Sequence, residues 1–267
     1  MFKFIQNMNS LQAFSSSRAH SFIQKTLNMK NKKIGFLVGL ALILTTNAFS
    51  QGFVETVEEG SMSTFFNNAC ILNLASGEEI TGKFVNGTYI NNGFSKITVK
   101  LENGEKAKFE PEQISSLKIK TTKLMQLMMV SEASSSIKEM VNADFNEIVN
   151  RDYVIFETAL TPRKTDTPRL LQLLNPGFDS KIKVFAQPGK QTAGISVGGL
   201  NLTGGEDRAY LFVKNGEKAV EVKKGSYKEN FEELYSDCPA MLDNFKGEKI
   251  KWDDVALHVY VYDQLCK

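Results

Sequence analysis

Between residues 69 and 120, short apolar stretches alternate with turn residues, and this pattern limits the folds open to the chain more than any other feature. Residues 97–101 and 117–120 alternate with period two, with Thr or Lys between the apolar side chains. The separators are typical of turns and hairpins: Ser76-Gly77-Glu78, Asn86-Gly87, Asn91-Asn92-Gly93 and Asn103-Gly104. Five strands at this spacing predict a small, strongly bent antiparallel barrel.

The first 50 residues differ from the rest, because they contain six basic and no acidic side chains. Lys30, Lys32 and Lys33 precede an uninterrupted apolar run at 34–44, which is the pattern of a secretory signal peptide. An 11-residue helix would cover about half of the ~30 Å hydrocarbon core, so this run is too short to span it. We therefore expect a chain exported to the periplasm or the extracellular space, with no transmembrane segment after cleavage.

The expected cleavage site lies between Ser50 and Gln51, after the small-x-small sequence Ala48-Phe49-Ser50. Because Gln51 is not a cysteine, a bacterial lipoprotein anchor is disfavoured. We expect translation to begin at Met29, directly before the basic residues; the alternative is that residues 1–28 belong to an amphipathic organelle transit peptide.

The chain from residue 51 onward carries 26 basic and 30 acidic side chains, which argues against a nucleic-acid partner. Within it, three short sequences resemble the opening of an SH3-like or Sm-like barrel: Leu72-Asn73-Leu74, Ser76-Gly77-Glu78 and Ile80-Thr81-Gly82-Lys83. The resemblance covers residues 69–120. It implies the fold, and no function or site residue is transferred with it.

Residues 121–150 change character and predict one helix, with room for a second, between two domains. Met125, Met128 and Met129 have the thioether chemistry that binds Cu(I), but methionines at helical spacing also fill gaps in a core. We expect the core role, and no cofactor.

The strand pattern returns after residue 151, and helical patterns end the chain. Strands are predicted at 153–160, 170–174, 181–187, 210–214 and 219–223; Asn215-Gly216 predicts a hairpin with Val220 and Val222 facing inward. Helices are predicted after Ser226, from Pro239, and from about Lys251. The fold class is therefore mainly β, or α+β: a small SH3-like antiparallel barrel followed by a β-rich domain closed by C-terminal helices.

The domain division that follows has five parts: a leader (1–50), a polar segment (51–68), the small barrel (69–120), a helical connector (121–150) and a β-rich α+β domain (151–267).

Three cysteines allow one disulfide, and an exported chain reaches a compartment where disulfides persist. Cys238 and Cys266 lie on elements that the last helices bring together, so we predict that they are bonded. Closing that loop stabilises the fold by about 3 to 4 kcal/mol in the chain-entropy model. Cys70 alternates with Leu72 and Leu74, which favours a buried thiol over a nucleophile or an intermolecular link.

The sequence offers no recognisable catalytic, cofactor-binding or metal-binding motif. His258 is the only histidine after residue 50, and Asp253, Asp254 and His258 form the least implausible catalytic cluster. The simpler interpretation is an exposed ion pair one helical turn apart, between His258 and Asp254. The glycine-rich stretch 194–205 lacks the Lys and Ser or Thr of a phosphate-binding loop, and a mobile loop or irregular hairpin is expected there.

The export signal, the barrel and the cysteine-containing end of the chain together resemble secreted proteins of Bacteroidota type without assigned function. Asp237-Cys238-Pro239 and Tyr262-Asp263-Gln264-Leu265-Cys266 are among the sequences that carry this resemblance, which covers residues 30–267. The leading hypothesis is a non-catalytic interaction or envelope-associated protein whose partner is a protein or an envelope component. The alternatives are a hydrolase of an envelope or extracellular polymer and a small-ligand binder between the domains.

Overall fold

The computed structural model describes nine segments, all of them within one unit that spans residues 50–267: 52–54, 56–57, 59–90, 93–133, 151–161, 168–187, 195–197, 200–203 and 209–266. The predicted leader, with its cleavage site between Ser50 and Gln51, lies outside these residues, and so does the second half of the connector, 134–150. No helix in the described segments is both long enough and apolar enough to cross a membrane.

Strands dominate the described part of the chain: β1 (Ala69–Leu74), β2 (Glu79–Ile90), β3 (Gly93–Leu101), β4 (Lys106–Phe109), β5 (Ile114–Lys120), β6 (Tyr153–Leu160), β7 (Pro168–Gln172), β8 (Ile182–Gln187), β9 (Ile195–Val197), β10 (Leu200–Thr203), β11 (Ala209–Lys214) and β12 (Val220–Lys223). The α-helices are α1 (Lys123–Ala133), α2 (Tyr227–Leu234), α3 (Pro239–Asn244) and α4 (Val255–Leu265). Short 3₁₀ helices lie at Glu59–Phe65, Pro111–Gln113 and Trp252–Asp254.

The predicted antiparallel barrel is confirmed, and it is closed by six strands. Its order is β2, β1, β5, β6, β7 and β3, and β3 pairs back with β2; the short strand β4 adds to β3. Strands β6 and β7 lie beyond residues 69–120, the range that the turn spacing assigns to the barrel. These two strands are needed to close the barrel, because β5 and β3 would otherwise each have an unpaired edge. Strand β6 pairs with β5, as Leu117 with Phe156 shows, and β7 pairs with β3, as Phe94 with Leu170 shows.

The barrel interior is built from the alternating apolar positions. Neighbouring side chains on a strand point to opposite faces, so every second residue enters the core and the residues between them face outward. The inward set includes Cys70, Leu72, Phe84, Val99, Leu117, Ile119, Val154, Phe156 and Leu170. Helix α1 adds Met125 and Met129 to the same core, so these two methionines take the packing role.

Two glycines in β2 allow the barrel to bend tightly. The sequence pattern predicts a turn at Asn86-Gly87, but both residues lie inside β2, next to a β-bulge that shifts its register against β3. A Cβ atom at Gly87 would lie 2.5 Å from the ring of Phe94, and one at Gly82 would lie 2.5 Å from the carbonyl oxygen of Lys100. The close approach of the Phe94 ring to Gly87 and of the β3 backbone to Gly82 therefore requires glycine at both positions.

Replacing Gly82 with alanine is expected to lower the free energy of unfolding by about 1 to 3 kcal/mol, because the added methyl group has no room between β2 and β3. Gly177 provides the matched control, since nothing lies within 4 Å of a Cβ built there. Urea unfolding of the two alanine variants measures the difference. Equal stability of the Gly82→Ala and Gly177→Ala proteins would contradict the close approach.

A second sheet lies against the barrel, with β11 between β8 and β12. The sequence of β11 is apolar on both faces, which is typical of a central strand. Asn215 and Gly216 both have positive φ, which matches a type I′ turn within the longer loop that joins β11 to β12. In β12 the prediction is half correct: Val222 is buried, whereas Val220 is 55% exposed. Apolar side chains fill the layer between barrel and sheet, namely Ala159, Leu171, Leu173, Phe185, Leu211 and Ala219.

The C-terminal helices cover the other face of the second sheet. Helices α2 and α3 begin at Tyr227 and Pro239, where the sequence predicts them, and α4 follows a 3₁₀ turn at Trp252–Asp254. Their shared core contains Phe212, Tyr227, Phe231, Tyr235, Met241, Val255, Val259 and Tyr262. Within the glycine-rich stretch, β9 and β10 pair antiparallel with a shift in register, as the expected irregular hairpin requires; residues 198–199, which connect them, lie outside the described residues.

The predicted disulfide is present between Cys238 and Cys266. Cys238 directly precedes α3 and Cys266 directly follows α4, so the bond joins the two helices at the end of the chain. Cys70 is free and buried in the barrel, as its alternation with Leu72 predicts.

Candidate functional site

His258, the histidine of the candidate catalytic cluster, is enclosed in the helical layer. His258 is 2% exposed and lies on the buried stripe of α4, together with Val255, Val259 and Tyr262. The prediction of an exposed pair between His258 and Asp254 is therefore wrong, while Asp253 lies at the exposed surface of the 3₁₀ turn before α4. The imidazole fits the core because three aromatic rings surround it, those of Tyr227, Phe231 and Phe245.

His258 is held neutral in this environment. Its Nδ1 shares a hydrogen bond of 2.7 Å with the hydroxyl of Tyr227, which also lies 3.3 Å from the hydroxyl of Tyr235. Burial lowers the pKa of His258 to about 4, because the charged imidazolium loses its hydration. A histidine that is neutral, buried and enclosed by aromatic rings is a structural residue of the helical layer.

Cys70 is equally unsuited to nucleophilic chemistry. It lies inside the barrel, and burial raises the pKa of its thiol to about 11. The thiolate is the reactive form, so this cysteine is inert at neutral pH. Among the described residues, no group of three or more His, Cys, Asp and Glu side chains could hold a metal ion.

A polar cluster that the sequence analysis missed lies beside the disulfide. The Nζ atom of Lys214 is 2.9 Å from Oδ1 of Asp237 and 4.6 Å from the ring centre of Tyr262, and it also donates to the carbonyl oxygen of Leu234. The hydroxyl of Tyr262 donates to Oδ2 of Asp237 at 2.5 Å. Burial raises the pKa of Asp237, but the bonds from Tyr262 and Lys214 outweigh it and hold that pKa below its ordinary value.

This cluster joins β11 to α4 and to the segment between α2 and α3. Every member is satisfied by another member or by the backbone, so its role is to fix the helices on the sheet.

An open groove of about 600 Å³ on the barrel is the best candidate for a binding site. Its walls come from β1, β2, the end of β3 with the following turn, and the first residue of β6. They include Ala69, Ile71, Thr81, Lys83, Lys100 and Tyr153. The side chains of Lys83 and Lys100 are directly opposite each other across the β2–β3 pair, and both are exposed. At the same end, the hydroxyl of Thr81 donates to Glu102 at 2.6 Å.

The groove is cationic as well as open. Among the described residues that line it, the two lysines Lys83 and Lys100 outnumber the single carboxylate of Glu102, which accepts a hydrogen bond from Thr81. Opposed Lys83 and Lys100 repel each other, and directly opposed like charges destabilise an antiparallel pair. The arrangement thus offers two ammonium groups, roughly 5 Å apart at their Cβ atoms, to an anion that enters the groove.

The sequence contained part of this signal. Alternation predicts that Lys100 faces away from the core, but only the register of β2 against β3 places Lys83 beside it. Comparison of the chain with protein families, with curated proteins and with solved structures finds no match.

Proposed function

We propose that this chain is an exported, non-catalytic protein that associates with the cell envelope and binds its partner on the outer face of the barrel. The observation that carries the proposal is the open groove with its opposed Lys83 and Lys100. The disulfide between Cys238 and Cys266 supports export, because such bonds persist in oxidising compartments. As part of the same proposal, the chain is one of the secreted proteins of Bacteroidota type that its sequence resembles.

The position of His258 supports a binding role over the hydrolase alternative. General acid–base catalysis requires a titratable group within reach of substrate, and this imidazole is enclosed by aromatic side chains in the helical layer. The groove, by contrast, combines exposed cationic side chains with the half-buried ring of Tyr153, a combination suited to recognition.

Site-specific crosslinking in the producing cells tests the proposal. A photoreactive benzoylphenylalanine at Ala69, which lines the groove and is exposed, is expected to capture an envelope component. Glu217, exposed at the tip of the β11–β12 hairpin, is the matched control position and is expected to capture nothing above background. Equal crosslinking at both positions, or none at Ala69, would reject the barrel face as the binding surface.

A further inference from the structure

Lysines continue beyond the groove in one row across the barrel. Lys106 of β4 is directly opposite Lys100, and Lys100 is directly opposite Lys83. Lys120 ends β5 on the same outward face, one residue beyond the pair of Cys70 with Ile119. All four side chains are exposed. Because neighbouring strands are about 4.8 Å apart, the row places several positive charges across the width of the sheet.

No ion pair among the described residues neutralises the lysines of this row. Elsewhere on the barrel Lys96 pairs with Glu110 at 3.3 Å, but Lys83, Lys100, Lys106 and Lys120 form no ion pair within the part of the chain that the structure describes. Directly opposed lysines repel each other and lower the stability of the sheet. The stability of the fold therefore gives no reason for this row, whereas binding of an anionic partner does.

Exposed leucines lie at the end of the barrel to which Lys120 belongs. Two residues separate Lys120 from α1, whose Met125 and Met129 enter the barrel core. The other side of α1 presents Leu124 and Leu127, which are 60% and 66% exposed, beside the exposed Lys123. Leucines at these positions neither fill the core nor bind a soluble anion.

We propose that the lysine row and the leucines of α1 form one docking surface for a membrane that contains anionic phospholipids. We call it the lysine face: Lys83, Lys100, Lys106, Lys120, Leu124 and Leu127. This inference rests on the proposed function, since it names the partner of the same barrel face. Peripheral membrane binding combines the two features found here, cationic side chains at the headgroups and apolar side chains that insert below them.

Other polyanions fit the lysine face less well. Single-stranded nucleic acids stack successive bases on several aromatic rings, whereas the groove contains one ring, that of Tyr153. A soluble acidic polymer would use the lysines and leave Leu124 and Leu127 in water. At a membrane, the ring of Tyr153 would lie at the level of the headgroups, because tyrosine favours the boundary between apolar and hydrated regions.

Vesicle binding tests the inference with the exported form of the full chain. Vesicles of equal parts phosphatidylglycerol and phosphatidylcholine are expected to bind the protein, and vesicles of pure phosphatidylcholine are not. Each lysine removed should weaken partitioning about fivefold, so Lys83→Gln/Lys100→Gln/Lys120→Gln should lose about a hundredfold. The matched control, Lys228→Gln/Lys246→Gln/Lys249→Gln, removes the same charge from exposed positions of the helical region and should bind like the parent.

The leucines have their own test. Leu124→Ser/Leu127→Ser leaves the charge unchanged and is expected to weaken binding to the anionic vesicles at least tenfold. Hydrogen exchange identifies which part of the protein contacts the vesicle. When vesicles are added, the backbone amides of β2, β3 and α1 should exchange more slowly, and those of α2 should exchange at an unchanged rate.

The outcomes separate this inference from the proposed function. Equal loss of vesicle binding in the two triple variants would overturn the inference. Slower amide exchange in α2 as large as that in β2, β3 and α1 would overturn it too. Crosslinking from Ala69 to an envelope component, together with no vesicle binding, would overturn the lipid partner and leave the binding function intact. Binding of an oligonucleotide or an acidic polysaccharide that depends on the same lysines, without binding to vesicles, would overturn it as well.

Discussion

Between pH 6.5 and pH 4 the free energy of unfolding is expected to fall by about 3 kcal/mol through the titration of His258 alone. The ordinary pKa of histidine is 6.5, and burial lowers it to about 4 in the folded protein. Between these values the unfolded chain binds a proton that the folded chain does not, so acid favours unfolding. Well above pH 6.5 the imidazole is neutral in both states, and its titration has no effect.

Substitution isolates this effect from the titration of carboxyl groups. His258→Gln has a similar volume and keeps a polar partner for Tyr227, but it does not titrate. Its free energy of unfolding should therefore fall less steeply from pH 7 to pH 4. Tyr227→Phe removes the hydrogen bond and keeps the histidine, so its dependence on pH should match that of the parent. Urea unfolding, followed by the fluorescence of Trp252, the only tryptophan, measures all three proteins. Parallel curves for the parent and His258→Gln would show that the imidazole is not buried in its neutral form.

Much of the local structure could be predicted because it depends on neighbouring residues. The alternation of Ile97, Val99 and Leu101 encodes a strand with one buried face, and β3 contains all three residues. Pro239 opens α3, where its missing N–H costs nothing. Asn215 and Gly216 adopt the left-handed conformations that their hairpin requires. Each of these signals is complete within a few residues.

Barrel closure could not be predicted in the same way. Strand β6 follows the connector, and its pairing with β5 brings together residues that are separated by more than 30 positions. A pattern of alternation gives the buried face of a strand but not its partner. Asn86-Gly87 shows the reverse error: a dipeptide typical of turns instead allows a bulge and close packing against Phe94.

The candidate sites depended on the same missing information. The sequence places His258 one turn from Asp254, but the helix could face either way until Phe231 and Phe245 are known to lie opposite it. The lysines of this face lie on different strands, and alternation predicts outward positions only for Lys100 and Lys120 among them. Their alignment across β4, β3 and β2, which makes them a candidate binding surface, exists only in the register of the sheet.

Loss of the disulfide is expected to lower the free energy of unfolding by about 3 to 4 kcal/mol, the value for a loop of this length. The bond joins Cys238 and Cys266 across 28 positions of sequence. Without it the last turn of α4 depends on Tyr262, whose hydroxyl donates to Asp237, and on the packing of the helical core. The Cys238→Ala/Cys266→Ala protein should therefore unfold at a lower urea concentration, with the earliest hydrogen exchange in α4.

The reduced parent protein is the control that separates the bond from the substitutions. If the bond stabilises the fold, reduction should lower the stability of the parent to that of Cys238→Ala/Cys266→Ala and leave the double variant unchanged. Cys70 does not interfere, because its thiol is buried and burial raises its pKa to about 11.

Intact mass without reductant should be about 2 Da below the reduced value, since forming one disulfide removes two hydrogen atoms. Equal masses would exclude the bond, and a double variant as stable as the oxidised parent would exclude its contribution to folding. A fall of the predicted size on reduction would instead show that this bond, with the cluster of Lys214, Asp237 and Tyr262 beside it, holds the C-terminal helix on the sheet.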